Sequence, residues 1–154
     1  MKKIIFSLVL LILCYVSAYS QQTVHYNLAQ LLKQNINIIQ VYAPTADKPD
    51  EEMGEFYRSI TELLRALPKQ EILITMGDFN SKLGGGYRSE YIGPHGLGER
   101  NHRGDIMEVF VEENEFVVIN TQFKMPPRKF YTWKSPLSGP NRPFRNQIDY
   151  ILIK

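Results

Sequence analysis

The sequence predicts a mixed α/β (α+β) fold, and three stretches carry that prediction: a β-branched run at 35–42, an amphipathic helical pattern at 53–67, and a second apolar run at 71–76. Strands and helices interleaved along one chain belong to layers of sheet and helix, not to an all-helical bundle or an all-strand sandwich.

The elements follow in order. Asn35 to Tyr42 reads as a strand, because Ile36 and Ile38 alternate with Asn35 and Asn37 and β-branched residues are dense; Ala43-Pro44 ends it. Met53, Phe56, Ile60, Leu63, Leu64 and Leu67 recur at spacings of three and four, with Glu52, Glu55, Arg58, Glu62 and Arg65 between them, which is one apolar stripe on a helix. Asp47 or Asp50 can cap that helix and Pro68 stops it. Glu71 to Met76 is apolar without alternation, as in a strand buried on both faces. A second helix is expected over 105–113, a strand over 116–120, and two closing strands over 131–133 and 147–153. Between Ser81 and Arg103 lies a connection of roughly 20 residues, a length that usually signals function or disorder.

The N-terminus is of another kind. Lys2 and Lys3 precede an apolar run from Ile4 to Val16, and Ala18-Tyr19-Ser20 offers small residues before Gln21. This is the pattern of a secretory signal peptide over 1–20, and the apolar run is shorter than the roughly 20 residues of a membrane-spanning helix. No stable membrane anchor is expected. Residues 21–35 are assigned to a linker or short helix, and 36–154 to the folded domain. With the leader removed the protein would be secreted; with it retained, nuclear or cytoplasmic.

Cleavage would also remove the one cysteine, Cys14, and with Lys2 and Lys3 gone the 18 basic residues fall to 16, equal to the 16 acids. A globally basic nucleic-acid binder is excluded on that balance. The C-terminal end is nonetheless basic: Lys124, Arg128, Lys129, Lys134, Arg142, Arg145 and Lys154 stand against Asp149 alone. Either it is a solvated surface or it faces phosphates.

Three groups can carry chemistry. In Gly77-Asp78-Phe79-Asn80 an apolar strand ends in glycine and presents a carboxylate at its carboxyl end, where open sheets place ligands. Asn80 adds an amide that can hold an oxyanion, so the pair suits phosphodiester hydrolysis, with the carboxylate on water and the amide on phosphate. The same residues also fit an Asx-turn that ends a strand. Asp149 is the one charge in the apolar strand Gln147-Ile148-Asp149-Tyr150-Ile151-Leu152 and requires a partner, a histidine or an arginine such as Arg145. Tyr42, ending its strand, either points a hydroxyl at a ligand or packs with a wet tip.

Taken in order, Ile38-Ile39-Gln40-Val41-Tyr42-Ala43-Pro44-Thr45, Gly77-Asp78-Phe79-Asn80, Gly98-Glu99-Arg100-Asn101 with Arg103-Gly104, Asn120-Thr121, Tyr131-Thr132-Trp133 and Gln147-Ile148-Asp149-Tyr150-Ile151 resemble the endonuclease/exonuclease/phosphatase superfamily. Within it, the string is similar to the abasic-endonuclease-like domain of non-LTR retrotransposon endonuclease–reverse transcriptases. The resemblance runs from about Ile36 to the C-terminus. It implies a four-layer α/β/β/α sandwich and Mg²⁺-dependent attack of water on a DNA phosphodiester. Asp78 then matches the acid that positions water, Asn80 the amide that binds the scissile phosphate, Tyr42 a phosphate-contacting hydroxyl, and Asp149 the acid that orients the catalytic histidine. Asn101 falls in a loop segment of the retroelement branch and takes a DNA-contacting role.

The departures set the functional expectation. The family's metal-binding glutamate has no counterpart, since no acid lies between Gln21 and Val41. The closing Ser-Asp-His segment is also absent, and His25, His95 and His102 all precede Asp149. Mg²⁺ binding is therefore not expected of these residues alone, and neither is cleavage of DNA. A missing first sheet would leave an apolar sheet face open, for a homo-oligomer or a second chain to cover. The other reading is a secreted binding protein that reuses the scaffold without catalysis.

Overall fold

The computed structural model of the chain describes residues 35–137, 139 and 144–154. The leader assigned to 1–20 and the linker assigned to 21–35 lie outside the described residues, Asn35 apart. Ile36–Lys154 forms one compact unit. A four-stranded sheet organises it, in the order β1-β2-β6-β3: β1 is Ile36–Tyr42, β2 Ile72–Asp78, β3 Val117–Val118 and β6 Asp149–Ile153. β1 runs parallel to β2, joined by helix α1 (Asp50–Ala66). β6 returns antiparallel between β2 and β3. Helix α2 (His102–Glu113) precedes β3. β4 (Trp133–Lys134) and β5 (Arg145–Asn146) make a separate two-stranded ribbon just before β6.

Both helices serve one face of the sheet. Val41, Leu73, Tyr150 and Leu152 from the strands meet Met53, Tyr57 and Ile60 of α1 and Met107, Phe110 and Val111 of α2 in a single core. The helical stripe is rotated from the sequence expectation: Leu63 is exposed, whereas Tyr57 is buried and stacks on Phe110 with ring centroids 4.6 Å apart. An aromatic partner on α2, far away in sequence, decides that rotation. Neither acid caps α1; Pro49 occupies the cap position with no side-chain bond, and the Asp47 carboxylate accepts from Thr45 Oγ1 instead. The helix stops as expected, with Leu67 forced extended in front of Pro68.

β1 corrects the sequence reading of its faces. Asn37, Ile39 and Val41 point toward the helices, and Ile36 and Ile38 are 42% and 62% exposed on the opposite side. Asn37 is accommodated at the core's margin because its amide donates to Glu71 Oε2 at 2.7 Å. By register, Ile72, Ile74, Met76, Ile151 and Ile153 share the side of Ile36 and Ile38. The open apolar face expected from the sequence is thus only partly open: Ile74 is fully buried, and Ile72, Met76, Ile151 and Ile153 are half-buried.

The long connection at 81–103 is neither free nor structureless. Leu83 and Ile92 are buried in the core, and Ile92 bridges to Val118. Gly85 N–H donates to Gly98 O at 3.0 Å and Gly86 N–H to Pro94 O at 2.8 Å, which folds the loop back on itself. That turn requires glycine at Gly96, where a Cβ would sit 2.0 Å from Gly84 O. Arg100 pairs with Glu108 on α2, lies over the Tyr87 ring and donates from Nε to Leu83 O at 3.3 Å. α2 begins three residues earlier than expected because Asn101 caps it. The strand expected over 116–120 shortens to β3 and passes into a 3-10 turn at Ile119–Thr121. Among the described residues no helix is long and apolar enough to cross a membrane.

Candidate functional site

The site is built by register. Tyr42 ends β1 beside Asp78, which ends β2, and Asp78 lies directly opposite Asp149, which begins β6. Three residues far apart in sequence thus form one row across three neighbouring strands, on the side of the sheet away from the helices. Gly77 lets the row form: its φ is +145°, and a Cβ there would lie 2.0 Å from Val41 O, so β1 can approach β2 only past a residue with no side chain.

Asn80 closes the corner from behind. Its backbone N–H donates to Asp78 Oδ1 at 2.8 Å, and its side-chain Nδ2 donates to Ala43 O at 2.8 Å. The Asx-turn foreseen for this motif is therefore present, with Asn80 in the left-handed region at φ 45°. It coexists with an ordered acid-and-amide pair, because the turn itself fixes both groups. One N–H of Nδ2 is engaged by Ala43 O, which leaves its second N–H and Oδ1 as the side-chain groups that can meet a ligand. Tyr42 is 71% exposed, which leaves its hydroxyl open to a ligand.

Asp78 is the electrostatically perturbed member. Burial pushes its carboxyl above the ordinary carboxylate value; the bond from Asn80 N–H acts in the opposite sense, and the charge of Asp149 adds to the rise. Asp149 makes no ion pair among the described residues, although a histidine or arginine partner was expected. Arg145 instead stacks its guanidinium 4.5 Å from the Tyr131 ring centre, and His102 meets Asp50 at 3.0 Å where α1 and α2 begin.

What holds Asp149 is its backbone. Asn120 Nδ2 donates to Asp149 O at 3.0 Å and its Oδ1 accepts from Ile151 N–H at 3.2 Å, so one side chain stands in for a strand partner. Thr132 Oγ1 accepts from the N–H groups of Ile148 and Asp149 at 3.1 and 3.2 Å. Sequence reasoning placed Asn120 and Thr132 within motifs and gave them no role; nothing short of the fold brings them to β6. Arg103 was likewise passed over. It is buried and donates to Pro44 O at 2.7 Å and Lys48 O at 2.5 Å, anchoring the segment that follows Tyr42.

Asn101 stands apart from the row. Its Oδ1 accepts from Gly104 N–H at 3.0 Å and Lys82 N–H at 2.9 Å, the geometry of a helix cap that also pins the 81–103 loop. Mg²⁺ demands a near-octahedral set of oxygens. Asp78 and Asp149 offer two carboxylates, and among the described residues no group of three or more acids, histidines or thiols is gathered. These residues do not fit a resident Mg²⁺ by themselves.

The chain is similar to craniofacial development protein 2. Over 120 residues, 78% of this chain, it is 38% identical to that protein from Bos taurus, and equally to that from Tragulus javanicus. The chain spans 20% of the length of these craniofacial development protein 2 relatives. No family model matches it.

Proposed function

We propose that the chain carries part of an endonuclease/exonuclease/phosphatase-type domain, derived from the endonuclease of a non-LTR retrotransposon, that engages DNA phosphates without cutting them alone. The observation that carries this reading is the Tyr42–Asp78–Asp149 row with Asn80 behind it. A hydroxyl, a carboxylate and an amide gathered at the carboxyl end of a sheet support a reading as phosphodiester chemistry. In this arrangement Asp78 would orient a water, Asn80 and Tyr42 would hold phosphate oxygens, and Asp149 would orient an imidazole. The motif string supports the ancestry. The four-layer sandwich of such a domain would place a second sheet on the side of Ile36 and Ile38.

Hydrolysis needs more than these groups. With two carboxylates for the metal and no histidine on Asp149 among the described residues, both charge stabilisation and proton transfer are short of partners. Binding is supported instead by the β4–β5 ribbon, where Trp133 and Phe144 are 39% and 58% exposed beside Lys134 and Arg145. Register places the two aromatics on one face of the ribbon and the two cations on the other, so one face suits stacked bases and the other phosphates.

The test uses the intact chain with Mg²⁺. Supercoiled plasmid and an abasic duplex remain uncut, whereas added oligonucleotide quenches the fluorescence of Trp133, the one tryptophan, and salt reverses the quenching. Nicking abolished by Asp78→Ala would refute the inactivity; unchanged fluorescence at low salt would refute the binding. A secreted, non-catalytic role is the second reading, motivated by the leader-like sequence before Gln21. It requires protein in the culture medium that starts at Gln21.

A further inference from the structure

The most exposed member of the row is also the one with least support of its own. Tyr42 is 71% exposed, and among the described residues its hydroxyl makes no hydrogen bond. The ring is therefore placed by the backbone that carries it. Tyr42 is the last residue of β1 in register with β2, so whatever fixes the chain as it leaves the strand also fixes the hydroxyl.

Three groups hold that exit. Ala43, fully buried, donates its N–H to Asp78 O at 2.8 Å, and its carbonyl accepts from Asn80 Nδ2 at 2.8 Å. The third group comes from the first turn of α2. Arg103 Nη1 donates to Pro44 O at 2.7 Å and Nη2 to Lys48 O at 2.5 Å, so one planar guanidinium bridges both ends of the turn between β1 and α1. The arrangement is costly in isolation. Arg103 is 6% exposed and makes no ion pair among the described residues, so backbone carbonyls alone compensate its charge. An apolar side chain could fill the space without that penalty, but it could not direct two carbonyls at once. Lysine could not either, because its ammonium is a compact point charge on a flexible stem and lacks the rigid fork.

We infer that Arg103 is a positioning residue for Tyr42: by clamping Pro44 and Lys48 it keeps the Tyr42 hydroxyl in the row with Asp78 and Asn80, ready for a phosphate oxygen. The inference rests on Tyr42 being a phosphate contact, as proposed above. Arg103 itself is buried beneath the turn and acts only through that turn.

A double-mutant cycle on the intact chain tests it, with oligonucleotide binding followed by quenching of Trp133. Tyr42→Phe and Arg103→Lys should each weaken binding about fivefold, the worth of one hydrogen bond, and the two together should weaken it no further. Asn114→Ala removes the amide that donates to Phe110 O at the other end of α2; it should lower stability and leave binding unchanged, which separates positioning from general support of the helix. Additive losses, or full binding by Arg103→Lys, would overturn the inference and leave Tyr42 in the site. Tyr42→Phe binding as the parent does, or a parent that binds nothing at low salt, would remove the phosphate contact and the inference with it. A measurement on the unsubstituted chain covers the case in which Arg103→Lys fails to fold. Coupling is reciprocal, so saturating oligonucleotide should slow hydrogen exchange of the Arg103 guanidinium N–H groups by a similar factor of about five. Exchange that is the same with and without oligonucleotide would equally overturn it.

Discussion

Replacing Asp78 by asparagine should stabilise the protein, although Asp78 is central to the proposed site. Asp78 and Asp149 are directly opposed across an antiparallel pair, where Cβ atoms lie about 4.5–5.5 Å apart and like charges destabilise by about 0.2–1 kcal/mol. Both carboxylates are partly solvated, so the lower half of that range applies. Asparagine retains an oxygen to accept Asn80 N–H, so Asp78→Asn removes the repulsion and keeps the turn, a gain of about 0.5 kcal/mol at neutral pH. Asp78→Ala removes the repulsion but also the accepting oxygen, worth about 1 kcal/mol, and should be slightly destabilising. Asp149→Asn should reproduce the gain, and the double asparagine variant should gain no more than either single one.

The pH dependence follows from the direction of the shift. Burial holds the folded Asp78 carboxyl above the ordinary aspartate value that it has in the unfolded chain, so between the two values the folded state holds the extra proton. Parent stability then falls as pH rises through that window and stays lower above it. The advantage of Asp78→Asn is therefore full at neutral pH and vanishes below the unfolded value. Urea unfolding of parent, singles and double at pH 7 and pH 3 measures all of this. A less stable Asp78→Asn at pH 7, or a gain undiminished at pH 3, would refute the electrostatic account.

Two further outcomes test the scaffold of the site. Gly77→Ala, which forces a Cβ onto Val41 O at a positive φ, should cost about 3 kcal/mol or more and shift the urea midpoint accordingly. Asn101→Ala should cost about 1–2 kcal/mol through the lost cap of α2, while oligonucleotide quenching of Trp133 stays unchanged; a selective loss of quenching with no loss of stability would restore a DNA-contacting role.

The sequence by itself determined where the main helices and strands form and which residues are candidates for the site. Local causes fix those: the three-and-four spacing of α1, Pro68 at its end, the apolar run that becomes β2, and glycine ahead of Asp78. It also carried the alternation that puts Tyr150 and Leu152 on the opposite side from Asp149. The tertiary structure alone decided facing and company. Ile36 and Ile38 turn away from the helices, and Tyr57 replaces Leu63 in the core, because a period tells only that a face exists and the partner chooses which one is buried. The same holds at the corner. Tyr42, Asp78 and Asp149 share a row through strand register, and Asn120 and Thr132 hold β6 through side-chain bonds to its backbone, contacts between separate elements that no local pattern encodes.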